Sequence, residues 1–342
     1  MLSSLPDLSY KAKYAALSAL YSFTPDFSLI KSSLIKSGQD GVYNKVKAMY
    51  EDGAFRNKVF AGLERRGVEC VTLASADYPE ALRHIPDPPV TLFIKGDRRL
   101  LCTRLFSVVG SRHTSTKYLA DCRKFVKELS AHFTIVSGSA VGADSAALES
   151  ADRAISVLAF GQDYFEKTVE PKVVKRIEEC GLTVSEHYPT VGAQRYFFPF
   201  RNRIIAGLSE GTLVVSAGAK SGALITADYA ADFGREVFAF PYNIGVSTGE
   251  GCNNLIKHGA YLCQNPLDIL GVFGLDLKPS QKIELTEDEQ RLYSAISEQG
   301  EVFLPALASE WGVQPYTLLP AISSLEIKKL IVRLGGNRYS KV

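Results

Sequence analysis

Short apolar runs alternate with amphipathic stretches through the middle of the chain. The apolar runs are LFSVVG at 105–110, FTIVSG at 133–138, AISVLAF at 154–160 and LTVSE at 182–186. Apolar residues at helical spacing follow them at 118–129, 144–153 and about 173–180. A strand at 212–215 lies between two further predicted helices, and EVFAF follows at 236–240. This alternation is typical of a doubly wound, mainly parallel sheet, so the predicted fold class is α/β and Rossmann-like.

The segments on either side of this core have different patterns. Residues 69–275 are predicted to form the core domain, with residues 1–68 and 283–342 as separate domains. Apolar residues recur at helical spacing in 1–68, interrupted by Pro25 and by glycines. We expect a helical domain there, either a SAM or helix-hairpin-helix module or a helical support that packs on its neighbour.

The last segment, 283–342, combines helices with a hairpin. Thr286 followed by Glu289 is a capping box at the start of the first helix. Two further helical stretches follow, and 331–339 has the pattern of a β-hairpin. This order predicts a C-terminal winged helix. The segment carries 6 basic and 8 acidic residues, which weighs against duplex binding, so contact with a protein and weak contact with DNA are both open.

Composition predicts a globular cytoplasmic protein. Hydrophobic residues make up 46% of the chain and charged residues 22%. The six cysteines are scattered without a CxxC pair, as in proteins that keep their thiols reduced. No apolar run reaches the roughly 18 residues of a membrane span, so no membrane partner is expected. The net charge of +2 excludes a general polycation, and any contact with nucleic acid must therefore be a local basic patch.

The stretch 195–232 carries the chemistry that stands out. It begins with aromatic rings interleaved with arginines: Tyr196, Phe197, Phe198 and Phe200 with Arg195, Arg201 and Arg203. Guanidinium groups beside aromatic rings suit a ligand with both phosphates and flat bases. A strand, a small-residue loop at 216–222 and a helix start follow, and they present backbone N–H groups to an anion. The predicted ligand is a nucleic acid or a nucleotide.

Three predicted strand ends are expected to meet at one pocket. They are Gly110-Ser111-Arg112, the loop from Ser137 to Asp144 and the loop from Ser216 to Thr226. Open α/β sheets bind ligands in the crevice at the carboxyl ends of their strands. None of the three loops is GxGxxG or GxxxxGK[ST], which disfavours a dinucleotide oxidoreductase and a P-loop NTPase.

The motifs of the core, taken in their order along the chain, resemble those of the DNA-processing protein A (DprA/Smf) family. Val109-Gly110-Ser111-Arg112 is similar to its VGSR turn, and Ser137-Gly138 with Gly142 and Asp144 to its SGxAxGxD loop. The most specific match is FPFRNRIIAGL at 198–208, and matching motifs continue to Gly259-Ala260. Four positions depart from the pattern. Val141 and Ala143 replace a basic residue and isoleucine, Ser216 replaces a glutamate, and Tyr242 replaces a glycine.

The resemblance implies a non-enzymatic, cytosolic protein that binds single-stranded DNA without strong sequence preference. It also implies protection of incoming DNA in natural transformation, loading of the RecA recombinase, and a homodimer formed through the Rossmann-like domain. By analogy with the basic pocket of the family, Arg112, Arg195, Arg201 and Arg203 are expected to contact phosphates, and Phe197 or Phe198 to stack on a base. The predicted DNA-binding set also contains Gly110, Ser111, Ser137, Gly138, Gly142, Gly222 and Thr226.

Several residues in this set have a structural alternative. A salt bridge is the alternative for each arginine, with Asp144 or Glu186 as the partner. Phe200 is expected in the core. Asn202 is expected to cap a helix or to fix a loop.

An enzyme on a related fold is the alternative function. A nucleotide-binding sensor or a phosphoribohydrolase-like enzyme would carry a PGG-type loop followed by a catalytic glutamate, whereas 216–222 contains no glutamate. The five histidines are dispersed, and only His113 lies at a predicted strand end. No catalytic residue, metal or cofactor is therefore predicted.

Overall fold

The structure is a computed structural model that describes residues 52–73, 75–276, 285–328 and 330–341. The chain divides into two compact units, Met1–Asp276 and Leu277–Val342. Most of the predicted N-terminal helical domain, 1–68, lies outside the described residues. Its described part forms a helix at Gly53–Glu64.

The first unit contains nine strands and ten α-helices among its described residues. The strands are β1 (Glu69–Thr72), β2 (Thr91–Gly96), β3 (Leu105–Gly110), β4 (Thr134–Ser137), β5 (Ala154–Leu158), β6 (Gly181–Ser185), β7 (Gly211–Ser216), β8 (Glu236–Ala239) and β9 (Tyr261–Leu262). The helices are α1 (Gly53–Glu64), α2 (Glu80–Arg83), α3 (Thr116–Leu129), α4 (Ala143–Ser150), α5 (Phe165–Thr168), α6 (Pro171–Cys180), α7 (Phe197–Leu208), α8 (Gly222–Asp232), α9 (Glu250–Lys257) and α10 (Pro266–Leu270).

These nine strands form one sheet in the order β1-β2-β6-β5-β4-β3-β7-β8-β9. All neighbours from β6 to β9 are parallel, whereas β1 pairs with β2, and β2 with β6, in antiparallel fashion. The predicted α/β fold with a mainly parallel sheet is confirmed. The chain leaves β3 toward β4, β5 and β6, and then returns to add β7 on the other side of β3. The crevice between β3 and β7 is thus the topological switch point, where such sheets bind ligands.

The central strands are buried on both faces, as their continuous apolar sequences require. Every residue of β4, β5, β6 and β7 is buried. In the core, Phe106 packs against the rings of Phe133 and Phe238, with centroids 5.3 and 5.8 Å apart. Burial of each such ring contributes roughly 1.5–3 kcal/mol. The rigid sheet holds the loops at its carboxyl edge in fixed positions.

The second unit has its own small core. Its elements are α11 (Glu287–Gln299), β10 (Glu301–Phe303), α12 (Leu304–Glu310), α13 (Leu319–Ile327), β11 (Ile331–Gly335) and β12 (Arg338–Lys341). The predicted capping box is confirmed, because Thr286 accepts from the Glu289 N–H and Glu289 accepts from the Thr286 N–H. The predicted hairpin is also confirmed as the antiparallel pair β11–β12. β10 pairs with the other edge of β12.

Candidate functional site

A cavity of about 330 Å³ opens at the carboxyl ends of β3, β4 and β7, beside the switch point. The three predicted loops contribute to one lining, and α7 closes the cavity on another side. The lining residues are Val109, Gly110, Ser111, Arg112, His113, Ala140, Asp144, Phe198, Pro199, Arg201, Asn202, Ile205, Ser221, Gly222, Ala223, Ile225 and Thr226. Gly142 instead lines a neighbouring cavity of about 490 Å³, which shares Arg112 with the first.

Asp144 ties two of the loops together. Its buried carboxylate accepts the N–H of Gly110 at the end of β3 and the N–H of Gly138 after β4, both over 3.2 Å. Burial raises the pKa of Asp144, while the charge of Arg201 and the backbone N–H groups oppose that rise. A carboxylate in this position fixes the loops because it accepts an N–H from each of them.

The loop after β4 is built around close contacts. Ser137 is fully buried and donates to the Val108 carbonyl over 2.6 Å, so it holds β4 against β3 and does not line the cavity. Gly142 has a φ of 98°, and a Cβ there would lie 2.6 Å from the Ser111 carbonyl oxygen. Only glycine suits this backbone without strain. Gly142 therefore shapes the cavity by letting the backbone of its loop pack closely against Ser111.

Arg201 forms the floor of the cavity. Its side chain is buried, and Nη1 donates to the carbonyl oxygens of Gly138, over 2.8 Å, and Val157. Burial lowers the pKa of Arg201 to about 10, and the neighbouring charge of Arg112 lowers it as well, whereas Asp144 raises it. The group stays charged at neutral pH. Arg201 is therefore a structural arginine whose positive charge faces the cavity from below.

Arg203 does not reach the cavity. It is 1% exposed, and its Nη2 donates to Glu186 Oε2 over 2.5 Å. Its Nε lies 3.5 Å from Asp87 Oδ2, and its guanidinium lies 4.0 Å from the centroid of the Phe200 ring. The structure thus contains the alternative arrangement for Arg203, a salt bridge with Glu186. Helical periodicity places residues two apart on different faces of a helix, but it does not show which face meets the cavity.

Arg112 is the exposed cation of the cavity lining. It lies between the two cavities, and no carboxylate approaches it within ion-pair distance among the residues described. Arg195 is exposed but lies outside both linings. One lining residue, His113, was not among the predicted site residues. The exposed Lys220 precedes Ser221, the cap residue of α8, and lies outside both linings.

The aromatic residues of α7 divide between two places. Phe198 lines the cavity. Phe197 packs on His187, with ring centroids 4.0 Å apart, and its other neighbour is Tyr196, which is 67% exposed. Phe200 is half-buried beneath Arg203, in line with its expected packing role. Of the two candidates for base stacking, Phe198 is the one at the cavity.

The first turn of α8 forms the wall opposite the β3 loop. Ser221 caps the helix by accepting the Ala223 N–H over 3.3 Å. Asn202 on α7 donates to the Gly222 carbonyl over 3.2 Å and so fixes this turn, as one of its two predicted roles requires. Thr226 is 1% exposed and lines the cavity one turn further on. A helix N-terminus carries partial positive charge and free N–H donors, which attract an anion.

Ser216 and Tyr242, two of the positions that differ from the family pattern, both form hydrogen bonds in the structure. Ser216 shares a hydrogen bond with Thr114 Oγ1 over 2.6 Å and accepts the Ser111 N–H over 3.2 Å, so it supports the β3 loop. Tyr242 stacks on Tyr118 with centroids 3.9 Å apart and donates to the Val215 carbonyl over 3.0 Å. Both residues lie behind the cavity lining, where they buttress its loops.

The carboxylates at other strand ends are engaged in ion pairs. Asp163 pairs with Arg66 over 2.9 Å, and Glu186 pairs with Arg203. Within the described ranges, no group of three or more histidine, cysteine or acidic side chains is arranged to hold a metal ion. The helices that the structure describes include none with the length and apolarity needed to span a membrane.

The fold and the cavity define a doubly wound α/β protein with a positively polarised cleft at its switch point. The family profile of DNA recombination-mediator protein A matches residues 69–274. The chain belongs to the DNA recombination-mediator protein A family. DNA processing protein DprA of Bacillus subtilis is 33% identical over 264 residues, which cover 75% of this chain and 84% of that protein. Protein Smf of Escherichia coli is 38% identical over 286 residues, covering 80% of this chain and 74% of its own.

Solved structures of this family have the same fold. The structure of DNA processing protein A from Streptococcus pneumoniae matches with a TM-score of 0.58 and 31% identity, over 77% of this chain and 98% of that one. DNA processing protein A from Helicobacter pylori, whose structure was described for its single-stranded DNA binding mode, matches with a TM-score of 0.55 and 27% identity. That match covers 60% of this chain and 95% of the other.

Proposed function

We propose that this protein binds single-stranded DNA in the cleft between β3 and β7 and performs no chemistry on it. The observation that carries the proposal is the composition of one cavity: exposed Arg112, the start of α8 and the ring of Phe198 all line it. Single strands are held by such a combination, because a cation and N–H donors take the phosphate while a ring stacks on the base. The Helicobacter pylori relative, with its single-stranded DNA binding mode, supports the same ligand.

Arg112 and Phe198 are the direct contacts we propose within the cavity. Arg195 and Phe197 are proposed as contacts for the strand outside it, since both lie at the start of α7 beside the exposed Tyr196. Arg201 acts differently, because its side chain is buried and its Nη1 donates to two main-chain carbonyls. It contributes positive charge at the floor of the cleft without touching the strand.

The family names support a wider role in DNA processing. We propose that the protein protects incoming DNA during natural transformation, that it loads RecA onto that DNA, and that it acts as a homodimer through the Rossmann-like domain. The cytoplasmic location expected from the sequence stays a prediction. The N-terminal SAM or helix-hairpin-helix module is likewise proposed from sequence.

For the second unit we propose a winged helix. The order α11-β10-α12-α13-β11-β12 supports it, because a helix-turn-helix is followed by a two-stranded wing. The sequence of α13, LPAISSLEI, contains no basic residue. A helix that reads duplex DNA needs cations for the phosphates, so we propose that this unit mainly contacts protein.

The test is a comparison of three ligands: a single-stranded dT oligonucleotide, a duplex of equal length and free nucleotides. We expect tightest binding to the single strand, with an affinity that falls steeply with salt because counterions are released from the phosphates. A chain ending at residue 276 should keep most of this affinity. Binding of a free nucleotide alone, with turnover of its glycosidic bond, would instead favour the phosphoribohydrolase-like alternative.

A further inference from the structure

Ser139, in the loop after β4, has a backbone conformation that serine rarely adopts. Its φ is 57°, in the left-handed region, and among the described residues Asn337, in the hairpin turn of the second unit, is the only other non-glycine residue with a positive φ. In this region the Cβ of an L-residue lies too close to the following carbonyl oxygen, a strain that asparagine tolerates more often than serine. Contacts outside the local backbone must therefore hold Ser139 in place.

The contact that holds Ser139 is a hydrogen bond between two buried hydroxyls. The Ser139 hydroxyl shares this bond with the Ser156 hydroxyl, and the two residues are 8% and 0% exposed. Ser156 belongs to β5, a strand whose residues are all buried, and it pairs in register with Ser137 at the end of β4. The loop after β4 is thus anchored to the rigid neighbouring strand two residues beyond the point where β4 ends.

The left-handed turn at Ser139 directs the residues that follow it against the β3 loop. Ala140 comes next and lines the cavity. At Gly142 the two loops meet, because a Cβ there would lie 2.6 Å from the Ser111 carbonyl oxygen and 3.0 Å from the Cα of Arg112. The loop after β4 therefore supports the turn that carries Arg112. If Ser139 left the left-handed region, the chain beyond it would take another direction and this support would be lost.

We infer that Ser139 and Ser156 are positioning residues, whose hydrogen bond holds the loop after β4 in the strained conformation in which Arg112 meets a DNA strand. This inference rests on the proposed function. It concerns two residues that do not touch the strand themselves, since neither belongs to the lining of the cavity. Strain of this kind persists at binding sites only where the surrounding structure compensates for it. Without the hydrogen bond, the loop would relax and would have to regain the strained conformation before the strand could bind.

The first test removes the anchor. We expect Ser156→Ala to bind a dT oligonucleotide about five- to thirtyfold more weakly, because the left-handed conformation is disfavoured by that factor in an L-residue and only the strained loop binds. In a plot of log K against log salt, the line should move down without a change of slope, because the bound state keeps all its phosphate contacts. A changed slope would show that a phosphate contact had been lost, which contradicts a positioning role.

The second test restores the conformation without restoring the hydrogen bond. Glycine adopts a positive φ about as readily as a negative one, so Ser139→Gly in the Ser156→Ala background should bring the affinity back to within about twofold of the unaltered protein. If the two hydroxyls served only to pack the core, the loss of a second side chain would not restore binding. A double variant that binds no better than Ser156→Ala would therefore overturn the inference.

Ser107→Ala is the matched control. The Ser107 hydroxyl also shares a hydrogen bond with a buried hydroxyl, that of Thr212 over 2.6 Å, and both residues are 0% exposed. These two residues lie within β3 and β7, where the backbone has no such strain. The control should have a lower urea midpoint, as Ser156→Ala should, and should keep its affinity for the oligonucleotide. Equal losses of affinity in the two variants would assign the effect to a general loss of stability and overturn the inference.

The outcomes separate the inference from the function on which it rests. If the unaltered protein does not bind the oligonucleotide, the proposed function fails, and the inference fails with it. If the unaltered protein binds and a folded Ser156→Ala binds equally well, the positioning role is wrong while the function stands. Should Ser156→Ala not fold, Ser139→Ala and Ser139→Gly give the same comparison. Both lose the hydrogen bond, but the glycine variant should bind severalfold more tightly, and equal affinities would overturn the inference.

Discussion

The guanidinium of Arg201 is bonded to the main chain of Gly138, with 2.8 Å between Nη1 and the carbonyl oxygen. A Cβ at position 138 would lie 2.5 Å from Nη2 of the same arginine. The glycine and the arginine therefore require each other, since the loop after β4 packs directly on a buried charge. The most basic-looking motif of the chain, FRNR at 200–203, is in this way mostly a structural motif.

Replacement of Arg201 should act mainly on the stability of the protein, and only secondarily on its affinity for DNA. We expect Arg201→Met to lower the free energy of unfolding by about 3 kcal/mol, because the buried Asp144 carboxylate loses its compensating charge. Urea denaturation of the first unit, followed by far-ultraviolet circular dichroism, measures this. An unfolding midpoint equal to that of the unaltered protein would contradict the structural role.

Arg112 should behave in the opposite way. Arg112→Ala removes an exposed side chain, so the unfolding free energy should change by no more than about 0.5 kcal/mol. Single-strand affinity should fall roughly tenfold, and the slope of log K against log salt should become shallower by about 0.7, the value for one phosphate of a single strand. Titrations at four salt concentrations supply both numbers, and an unchanged slope would exclude a phosphate contact.

Substitutions at Arg203 and Glu186 should have coupled effects on the free energy of unfolding and no effect on the affinity for single strands. Arg203→Met alone should cost about 3 kcal/mol, because it leaves a half-buried carboxylate without its partner. The double variant with Glu186→Gln should cost less than the sum of the single variants, with a coupling of roughly 1–3 kcal/mol. The cycle is measured by urea denaturation. Additive effects would show that the 2.5 Å contact contributes nothing.

Tyr242 and Gly249 form a second coupled pair. A Cβ at position 249 would lie 1.8 Å from Cγ of the Tyr242 ring, close to the rigid part of that side chain. Gly249→Ala should therefore cost roughly 1–3 kcal/mol as the ring is displaced from its stack on Tyr118. In a Tyr242→Ala background the same change should cost little more. Equal costs in both backgrounds, by urea denaturation, would refute the contact.

The second unit should lose stability in acid through Glu289. A hydrogen bond from Lys328 at 2.7 Å, with help from Ser324 and the Thr286 N–H, lowers the pKa of Glu289 to about 2. The unfolded carboxyl has a higher pKa, near 4.5, so the stabilisation is complete above that pH and is lost as the pH falls toward 2.

Trp311 makes this measurable in the full chain, because it is the single tryptophan and lies in the second unit under Arg291, with the guanidinium 4.1 Å from the ring centroid. Its fluorescence reports the urea midpoint of that unit. The midpoint should fall between pH 5 and pH 3, and it should fall less in Glu289→Gln. The same pH dependence in both proteins would assign the effect to other carboxylates.

The sequence was sufficient to predict the fold of the core and to predict that three loops lie together at one edge of the sheet. Apolar runs such as 133–138 and 154–160 became fully buried parallel strands, because only such strands need continuous apolar sequence. The C-terminal ends of parallel strands lie at one edge of the sheet, so the loops of Gly110, Asp144 and Gly222 necessarily meet there. Predicted helix starts fell within one to two residues, at Thr116, Ala143 and Pro171 in the structure.

The sequence did not predict which role each of several residues of one type has in the structure. Arg201 and Arg203 differ from Arg112 through partners that lie far away in sequence, Gly138 and Glu186. Asp144 lies in the first turn of α4, and its carboxylate accepts the N–H groups of Gly110 and Gly138. Such assignments depend on distances across the sheet, and no local pattern contains them.

The adjacency of β3 and β7 also has a consequence for synthesis on the ribosome. β3 is made early, while β7 and α8 follow about a hundred residues later, and at typical elongation rates that delay is roughly 5–20 seconds. During this interval the nascent chain presents Arg112 without the wall that completes the cleft. The cleft therefore exists only after β7 and α8 have been made and β7 has paired with β3.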